Sequence, residues 1–183
     1  MNILVVEDTP KHQESARQLL CDHNVDIVTA FDYAMDKLGG TRGEPETKYD
    51  AVLSDLLMPQ GRGDVQGEKW MASEQMAFGF PIALIAAQKG IPYVAIVSDM
   101  NHHKHPMAYT LDFLNKRMQI DGTRFQTFGE SSLSRAYPMT DGTISLECPY
   151  ELPQDQRQGY VTVGSGFKSV KNWKGVLERI MRD

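Results

Sequence analysis

Four polar residues stand at the ends of short apolar runs, where they could bind a metal ion or react with phosphate. Glu7 and Asp8 directly follow the run NILVV, Asp55 ends the run YDAVLSD, and Ser98 follows YVAIV. Three carboxylates in one crevice would repel one another unless a cation lay nearby, and Mg²⁺ prefers such oxygen ligands. These residue types therefore predict metal or phosphoryl chemistry if the fold brings them together.

The elements that would position these residues alternate between strands and helices. Apolar runs predict the strands, and capping residues, Pro and Gly delimit the helices: strands 2–6, 25–30, 49–55 and 91–99, and helices 9–23, 31–40 and 78–90. This alternation predicts a single α/β domain with a doubly wound parallel sheet. In the flavodoxin-like strand order 2-1-3-4-5, the first and third strands are neighbours. We therefore expect Asp8 and Asp55 to meet at one edge, with Ser98 beside Asp55.

Composition and charge exclude several classes of protein. The chain has 183 residues and a formal net charge of -5, without a basic run, so nucleic-acid binding is not expected. No apolar stretch is long enough to span a bilayer, and the acidic N-terminus is unlike a signal peptide. Cys21 and Cys148 lack metal-ligand spacing, and we expect no disulfide. These observations predict a cytoplasmic protein without a membrane partner.

The segments ILVVEDTP, YDAVLSDLLMP and VAIVSD resemble the receiver (CheY-like) domain of bacterial two-component response regulators. The resemblance covers roughly the first hundred residues and is poor beyond them. It implies that Asp55 accepts a phosphoryl group in the presence of Mg²⁺ and that the Ser98 hydroxyl hydrogen-bonds that group. It also implies that Asp8, Asp55 and the main-chain carbonyl of Leu57 hold the metal, and that Glu7 does so directly or through water.

A lysine that pairs with the phosphoryl group is also implied by the resemblance. The segment YVTVGSGFKSVKNWKGVLERI, 160–180, offers Lys168 as the best match, because this lysine follows an aromatic residue and leads toward an amphipathic last helix. Lys171 and Lys104 remain alternatives.

Two residues depart from the receiver pattern. Asp99 stands where the family usually has a small residue, and its negative charge could oppose phosphorylation, point away, or hold a switch in one state. Leu57 has no polar side chain that could orient a hydrolytic water, so a phosphoryl group on Asp55 would be expected to persist.

Two segments lie outside the usual receiver length. The loop 60–76, with Trp70 and Met71, follows the acceptor strand and could be a lid, a partner surface or an insertion without a role. The segment 119–163 predicts one or two hairpins near the fifth strand, with turns at Asp121-Gly122 and Asp141-Gly142. Within it, TISLEC is a candidate for the fifth strand itself.

A histidine tract offers a second kind of site. His102, His103 and His105 cluster beside Asp99, and imidazole with carboxylate would suit zinc or another transition metal. The alternative is a solvent-facing loop before a helix that begins near Pro106.

The leading functional prediction is a stand-alone, atypical receiver rather than a conventional enzyme. It would take a phosphoryl group from a histidine kinase or phosphotransfer protein and signal through an unknown output partner or a homodimer. A pseudo-receiver that binds proteins without being phosphorylated is the first alternative. The second is a metal-dependent phosphatase or hydrolase that uses Asp8, Asp55 and the histidine tract.

Overall fold

A twisted, mostly parallel sheet forms the centre of the protein. The computed structural model describes residues 1–40, 43, 47–61, 74–101, 103, 105–130, 135–164 and 166–182. The sheet has six strands: β1 (Asn2–Val6), β2 (Asn24–Val28), β3 (Ala51–Asp55), β4 (Tyr93–Val97), β5 (Met118–Ile120) and β6 (Thr123–Phe128). Their order is β2-β1-β3-β4-β6-β5, and all pairs are parallel except β5 with β6. The five parallel strands confirm the predicted α/β class and flavodoxin-like order.

Helices cover both faces of this sheet. They are α1 (Pro10–Leu19), α2 (Phe31–Lys37), α3 (Gly79–Gln88), α4 (Pro106–Phe113) and α5 (Trp173–Met181). Alternate residues of each strand enter opposite cores: Leu4 and Val6 pack with α2, α3 and α4, whereas Ile3 and Val5 pack with α1 and α5. Because both faces are covered, the central strands β1, β3 and β4 are mostly apolar, and the polar residues Ser54 and Asp55 lie at the carboxyl end of β3.

The fifth parallel strand is β6, so the candidate strand TISLEC was wrong. Asp121 and Gly122 both have positive φ, 48° and 85°, and form a tight turn that pairs β5 with β6 in a hairpin. This confirms the predicted hairpin next to the fifth strand. In TISLEC, only Ile144–Ser145 is a strand, and it pairs elsewhere.

The C-terminal third adds a small antiparallel sheet. Its strands are β7 (Arg135–Pro138), β8 (Ile144–Ser145) and β11 (Val170–Lys171), in the order β11-β7-β8. A two-stranded hairpin, β9 (Thr162–Val163) with β10 (Gly166–Phe167), precedes β11. Strand β11 leads directly into α5, whose first turn is capped by the Asn172 side chain, an acceptor from Gly175 N–H at 2.9 Å.

The long loop after β3 returns to the end of the strand from which it leaves. Residues 62–73, including Trp70 and Met71, lie outside the described residues. At its ends, the main-chain N–H of Met58 and of Met76 each donate to the carbonyl of the other at 3.1 Å. The chain therefore re-enters the fold close to Asp55.

Two other features bear on the sequence predictions. Among the described residues, no helix combines the length and apolar character needed to span a bilayer. Cys21 and Cys148 are both free thiols, as expected.

Candidate functional site

The register of the parallel strands brings the polar strand ends together. Val6 of β1 is opposite Ser54 of β3, which places Glu7 next to Asp55. On the other side, Asp55 is opposite Val97 of β4, so Ser98 follows directly after its neighbour. All of these residues lie at the carboxyl edge of the sheet, where ligands bind in folds of this order.

Three carboxylates of this edge form one cluster. Each of Glu7, Asp8 and Asp55 offers an oxygen, and these oxygens lie within 4.8 Å of one another. Oxygens on opposite sides of one Mg²⁺ ion are about 4 Å apart, since each Mg–O bond is about 2 Å long. The donor set therefore fits a magnesium ion after small side-chain adjustments. In the described part of the chain, no other group of three or more histidine, cysteine or acidic side chains comes this close.

A lysine lies inside the acidic cluster, and it is Lys171. Its Nζ is 2.7 Å from Glu7 Oε2 and 2.8 Å from Asp55 Oδ1, and its side chain is 0% exposed. Lys168, the best match in the sequence, is exposed instead, and its main-chain N–H bonds to Val161 O. Lys104 lies outside the described residues.

The position of Lys171 corrects the sequence prediction for a physical reason. Strand β11 pairs with β7, with Lys171 opposite Arg135, and its lysine then precedes the capping residue Asn172. Lys171 is therefore a polar residue at a strand end directly before a helix, which is the same arrangement that marked Glu7 and Asp8. This signal was present in the sequence, but a two-residue strand is too short to be read from hydrophobic periodicity.

Burial and opposite charges shift the protonation equilibria of this cluster. Burial raises the pKa of Glu7 to about 7, against the opposing charge of Lys171. Burial also raises the pKa of Asp55, again against Lys171. Burial alone would lower the pKa of Lys171, but Asp55 and Glu7 raise it above its ordinary value, so the ammonium stays charged.

The Asp55 carboxylate is held by one of its oxygens. Oδ1 accepts from the Leu56 main-chain N–H at 2.7 Å and from Lys171 Nζ at 2.8 Å. Among the described residues, both hydrogen bonds to this carboxylate fall on Oδ1. Oδ2 takes part in neither of these two bonds, which makes it the candidate oxygen for bond formation.

Two further contacts hold the other acids in place. The main-chain N–H of Thr9, the residue that precedes α1, donates to Glu7 Oε1 at 3.0 Å. The Gln75 side chain donates from Nε2 to Asp8 Oδ2 at 2.6 Å. Sequence reasoning missed Gln75, because only the return of the loop at Met76 brings this residue to the site.

Ser98 is buried at the end of β4. Its main-chain N–H donates to Phe128 O at 2.8 Å, and its Oγ accepts from the Met100 N–H at 3.2 Å. A hydroxyl that accepts one hydrogen bond can still donate another. The Ser98 hydroxyl can therefore donate to a further acceptor at this edge of the sheet.

Asp99 makes an ion pair with helix α1. Its Oδ2 lies 2.8 Å from His12 Nε2 and 3.7 Å from Lys11 Nζ. Burial alone would raise the pKa of Asp99, but the hydrogen bond from His12 and the charge of Lys171 hold it below its usual value. Sequence reasoning identified Asp99 as an added negative charge near the site, but it did not identify His12 and Lys11 as its partners.

Among the described residues, the side chains of Leu57, His103 and His105 do not join the cluster. Leu57 is buried and belongs to the apolar core. His102 lies outside the described residues, whereas the His103 main-chain N–H donates to Asn101 Oδ1 at 2.8 Å. His105 caps α4, with its Nδ1 accepting from Met107 N–H at 3.2 Å.

Comparison with known proteins does not assign this chain to a family. No family model and no curated protein matches the chain. One similar solved structure is a fusion containing the yeast Spc42 trimeric coiled coil, amino acids 181–211, with 22% identity, a TM-score of 0.36 and 55% of each chain covered. The chain thus spans about half the length of that structure. Another is the N-terminal domain of a response regulator/sensory box/GGDEF three-domain protein from Carboxydothermus hydrogenoformans, with 16% identity, a TM-score of 0.40, and 70% of this chain and 80% of that chain covered. Likenesses at this level establish neither fold nor function.

Proposed function

We propose that this protein is a receiver-type switch in which Asp55 accepts a phosphoryl group. The observation that carries the proposal is the fully buried Lys171 ammonium, bonded to both Glu7 and Asp55 inside a three-carboxylate cluster at the carboxyl edge of the sheet. A buried network that served stability alone would be expected to balance its charges. Here Lys171 contacts two of the three carboxylates, and the third, Asp8, accepts from the uncharged Gln75 amide. A cation bound among these oxygens would keep all three acids ionised.

The proposed reaction is an in-line transfer. Asp55 Oδ2 forms a bond to phosphorus while the P–N bond of a phosphohistidine donor breaks, and the departing imidazole keeps the electron pair and takes a proton from water. Mg²⁺ held by Glu7, Asp8, Asp55 and the Leu57 carbonyl would neutralise charge on the phosphoryl oxygens. Lys171 keeps its contact with Asp55 Oδ1 and also pairs with the new phosphoryl dianion. The Ser98 hydroxyl donates a hydrogen bond to one of the phosphoryl oxygens.

The donor and the output follow from the same proposal. A phosphohistidine on a histidine kinase or phosphotransfer protein is the donor class, in the cytoplasm. Signalling then occurs through movement of the loop that follows β4 and begins at Ser98, here called the Ser98 loop. A new dianion beside a buried lysine is a local charge change that can bias such an element between two states. The output passes to a protein partner or to a second copy of the chain.

A pseudo-receiver remains the second candidate, and one observation favours it. Asp99 adds a carboxylate beside Ser98. Its contacts with His12 and Lys11 keep this carboxylate ionised. If this charge prevents transfer, the site would bind Mg²⁺ without accepting a phosphoryl group.

Beryllofluoride, which mimics an attached phosphoryl group, separates the two candidates. The Lys171 Nζ lies 5.5 Å from the centre of the Trp173 ring, so a change at the site should alter Trp173 fluorescence. Trp70 is the other tryptophan of the chain, and Trp70→Phe removes its signal. With Mg²⁺ and beryllofluoride, we expect a saturable change that Asp55→Asn abolishes and the exposed control Asp22→Asn retains. A response to Mg²⁺ alone, with none to beryllofluoride, would favour the pseudo-receiver.

A further inference from the structure

His12 is a buried titratable residue that the proposed transfer does not use. It lies in the first turns of α1 and is 1% exposed. Burial lowers its pKa, as does the charge of Lys171, while Asp99 opposes this shift. A neutral imidazole in such a place needs a partner for each ring nitrogen.

Both ring nitrogens have a defined partner, and together they fix the tautomer. The main-chain N–H of Lys171 donates to His12 Nδ1 at 3.1 Å, so Nδ1 carries no proton. The proton of the neutral ring is therefore on Nε2, which donates to Asp99 Oδ2 at 2.8 Å. One imidazole thus joins β11 to the loop after β4.

Further contacts hold the His12 main chain close to β11 and α5. The His12 carbonyl accepts from Trp173 Nε1 at 2.9 Å and from Ser15 Oγ at 2.9 Å. Ser15 Oγ also lies 3.0 Å from the Lys171 carbonyl oxygen. These contacts tie α1 to both β11 and α5, so the ring lies directly beside the main chain of Lys171, which donates to it.

The two elements that His12 joins both border Asp55. Lys171 contacts Asp55 directly, and Ser98, the neighbour of Asp99, follows the strand residue paired with Asp55. A free Asp99 carboxylate would repel a phosphoryl dianion on Asp55. The hydrogen bond from His12 directs this carboxylate to α1 instead.

We propose that His12 is a positioning residue for the phosphoryl site. It sets the spacing between Lys171 and the Ser98 loop, and it holds the Asp99 carboxylate against α1 so that a dianion can form on Asp55. This role depends on the phosphoryl-accepting function proposed above, and His12 itself does not touch the transferred group.

Two substitutions of His12 separate its two bonds. In His12→Asn, the amide oxygen can replace Nδ1 as the acceptor for Lys171 N–H, but nothing reaches Asp99. In His12→Gln, the amide nitrogen can replace Nε2 as the donor to Asp99, but the bond to Lys171 is lost. His23→Asn is the matched control, because His23 follows α1 and makes no contact with the cluster.

The first measurement uses the metal-free protein and does not depend on phosphorylation. Ring ¹⁵N shifts of His12 should report the Nε2–H tautomer in the wild type. In His12→Asn, the loss of the bond to Asp99 should loosen the loop after β4, so amide hydrogen exchange at Met100, whose N–H donates to Ser98 Oγ, should accelerate about tenfold. In His12→Gln, the Lys171 N–H loses its acceptor, so exchange at Lys171 should accelerate about tenfold. An Nδ1–H tautomer, or unchanged exchange in both variants, would overturn the proposal.

The second measurement is the affinity for beryllofluoride in the presence of Mg²⁺. We expect His12→Asn to lose about tenfold, the cost of one charge-assisted hydrogen bond, and His23→Asn to lose nothing. Adding Asp99→Ala to His12→Asn should restore most of the affinity, since it removes the released charge. A purely structural role for His12 would give no such rescue, and its absence in a folded double variant contradicts the proposal. If the wild type does not bind beryllofluoride, the phosphoryl-accepting function fails, which the metal-free exchange data distinguish from a failure of the His12 contacts.

Discussion

At the scale of single residues, the site is defined by Lys171, whose ammonium is buried between Glu7 and Asp55. Burying a charge is costly unless it is paired and hydrogen-bonded. Lys171 meets this condition, since it contacts two carboxylates and lies over the Trp173 ring. The same contacts leave the two acids dependent on the lysine for their own neutralisation.

Replacing Lys171 should therefore destabilise the fold. In Lys171→Met, Glu7 and Asp55 lose their buried cation, and we expect the free energy of unfolding to fall by about 3 kcal/mol in urea titrations near neutral pH. Lys174→Met, at an exposed position of α5, is the matched control and should stay within about 0.5 kcal/mol of the wild type. An equal effect of the two substitutions would mean that the lysine pair does not stabilise the structure.

His12 predicts a pH dependence of stability. Its pKa is lowered in the folded protein, mainly by burial and also by Lys171 and Lys11, so the unfolded chain binds a proton first as pH falls below about 6.5. The stability that comes from the neutral ring is complete above this pH and is lost as pH falls toward the folded pKa.

The wild type should accordingly lose more free energy of unfolding than His12→Gln between about pH 7 and about pH 5. The lowered pKa of Asp99 affects stability only in more acidic solution, and Glu7 titrates in both proteins, so neither obscures the comparison. Parallel pH profiles from urea titration would show that His12 is not buried in its neutral form.

At the scale of elements, the parallel strands could be predicted and the short antiparallel ones could not. Strands β1, β3 and β4 are continuous apolar runs that end at polar residues, so their order and shared edge followed from the βαβ rule. Strand β11 has two residues, and its position depends on pairing with β7, far away in the sequence. For this reason the sequence favours Lys168, three positions before the lysine that contacts Asp55.

Helix α3 approaches the acceptor strand so closely that a glycine is required at its start. Gly79 N–H donates to Leu56 O at 3.0 Å, and a Cβ on Gly79 would fall on the Asp55 carbonyl oxygen and 2.9 Å from Leu56 Cα. The backbone around Asp55 would have to move to admit a methyl group.

We expect Gly79→Ala to lower the free energy of unfolding by about 2 kcal/mol and to weaken binding at Asp55. Gly129→Ala is a suitable control, because its Cβ would meet no described atom closer than 3.4 Å. Denaturant titration compares the two variants, and wild-type stability for Gly79→Ala would argue against close packing of α3 on the acceptor strand.

At the scale of the whole molecule, the site is assembled from four separate regions of the chain. The acids come from the ends of β1 and β3, the hydroxyl from the end of β4, and the lysine from β11 near the C-terminus. The acids and the hydroxyl were predictable, because one sheet edge collects them. Lys171 was only one of three candidate lysines, because the pairing of β11 with β7 that places it is not encoded in periodicity. Gln75 and His12 were not predicted, because a loop return and contacts with Lys171 and Asp99 bring them to the site.

The most direct test of the account is the intact mass of the protein after incubation with Mg²⁺ and phosphoramidate, a small donor with a P–N bond. The account predicts one added phosphoryl group on the wild type and on Asp22→Asn, none on Asp55→Asn, and none when Mg²⁺ is chelated. Tandem mass spectrometry should place the group on Asp55. A wild type that stays unmodified under these conditions, or an adduct that persists in Asp55→Asn, would contradict the central claim.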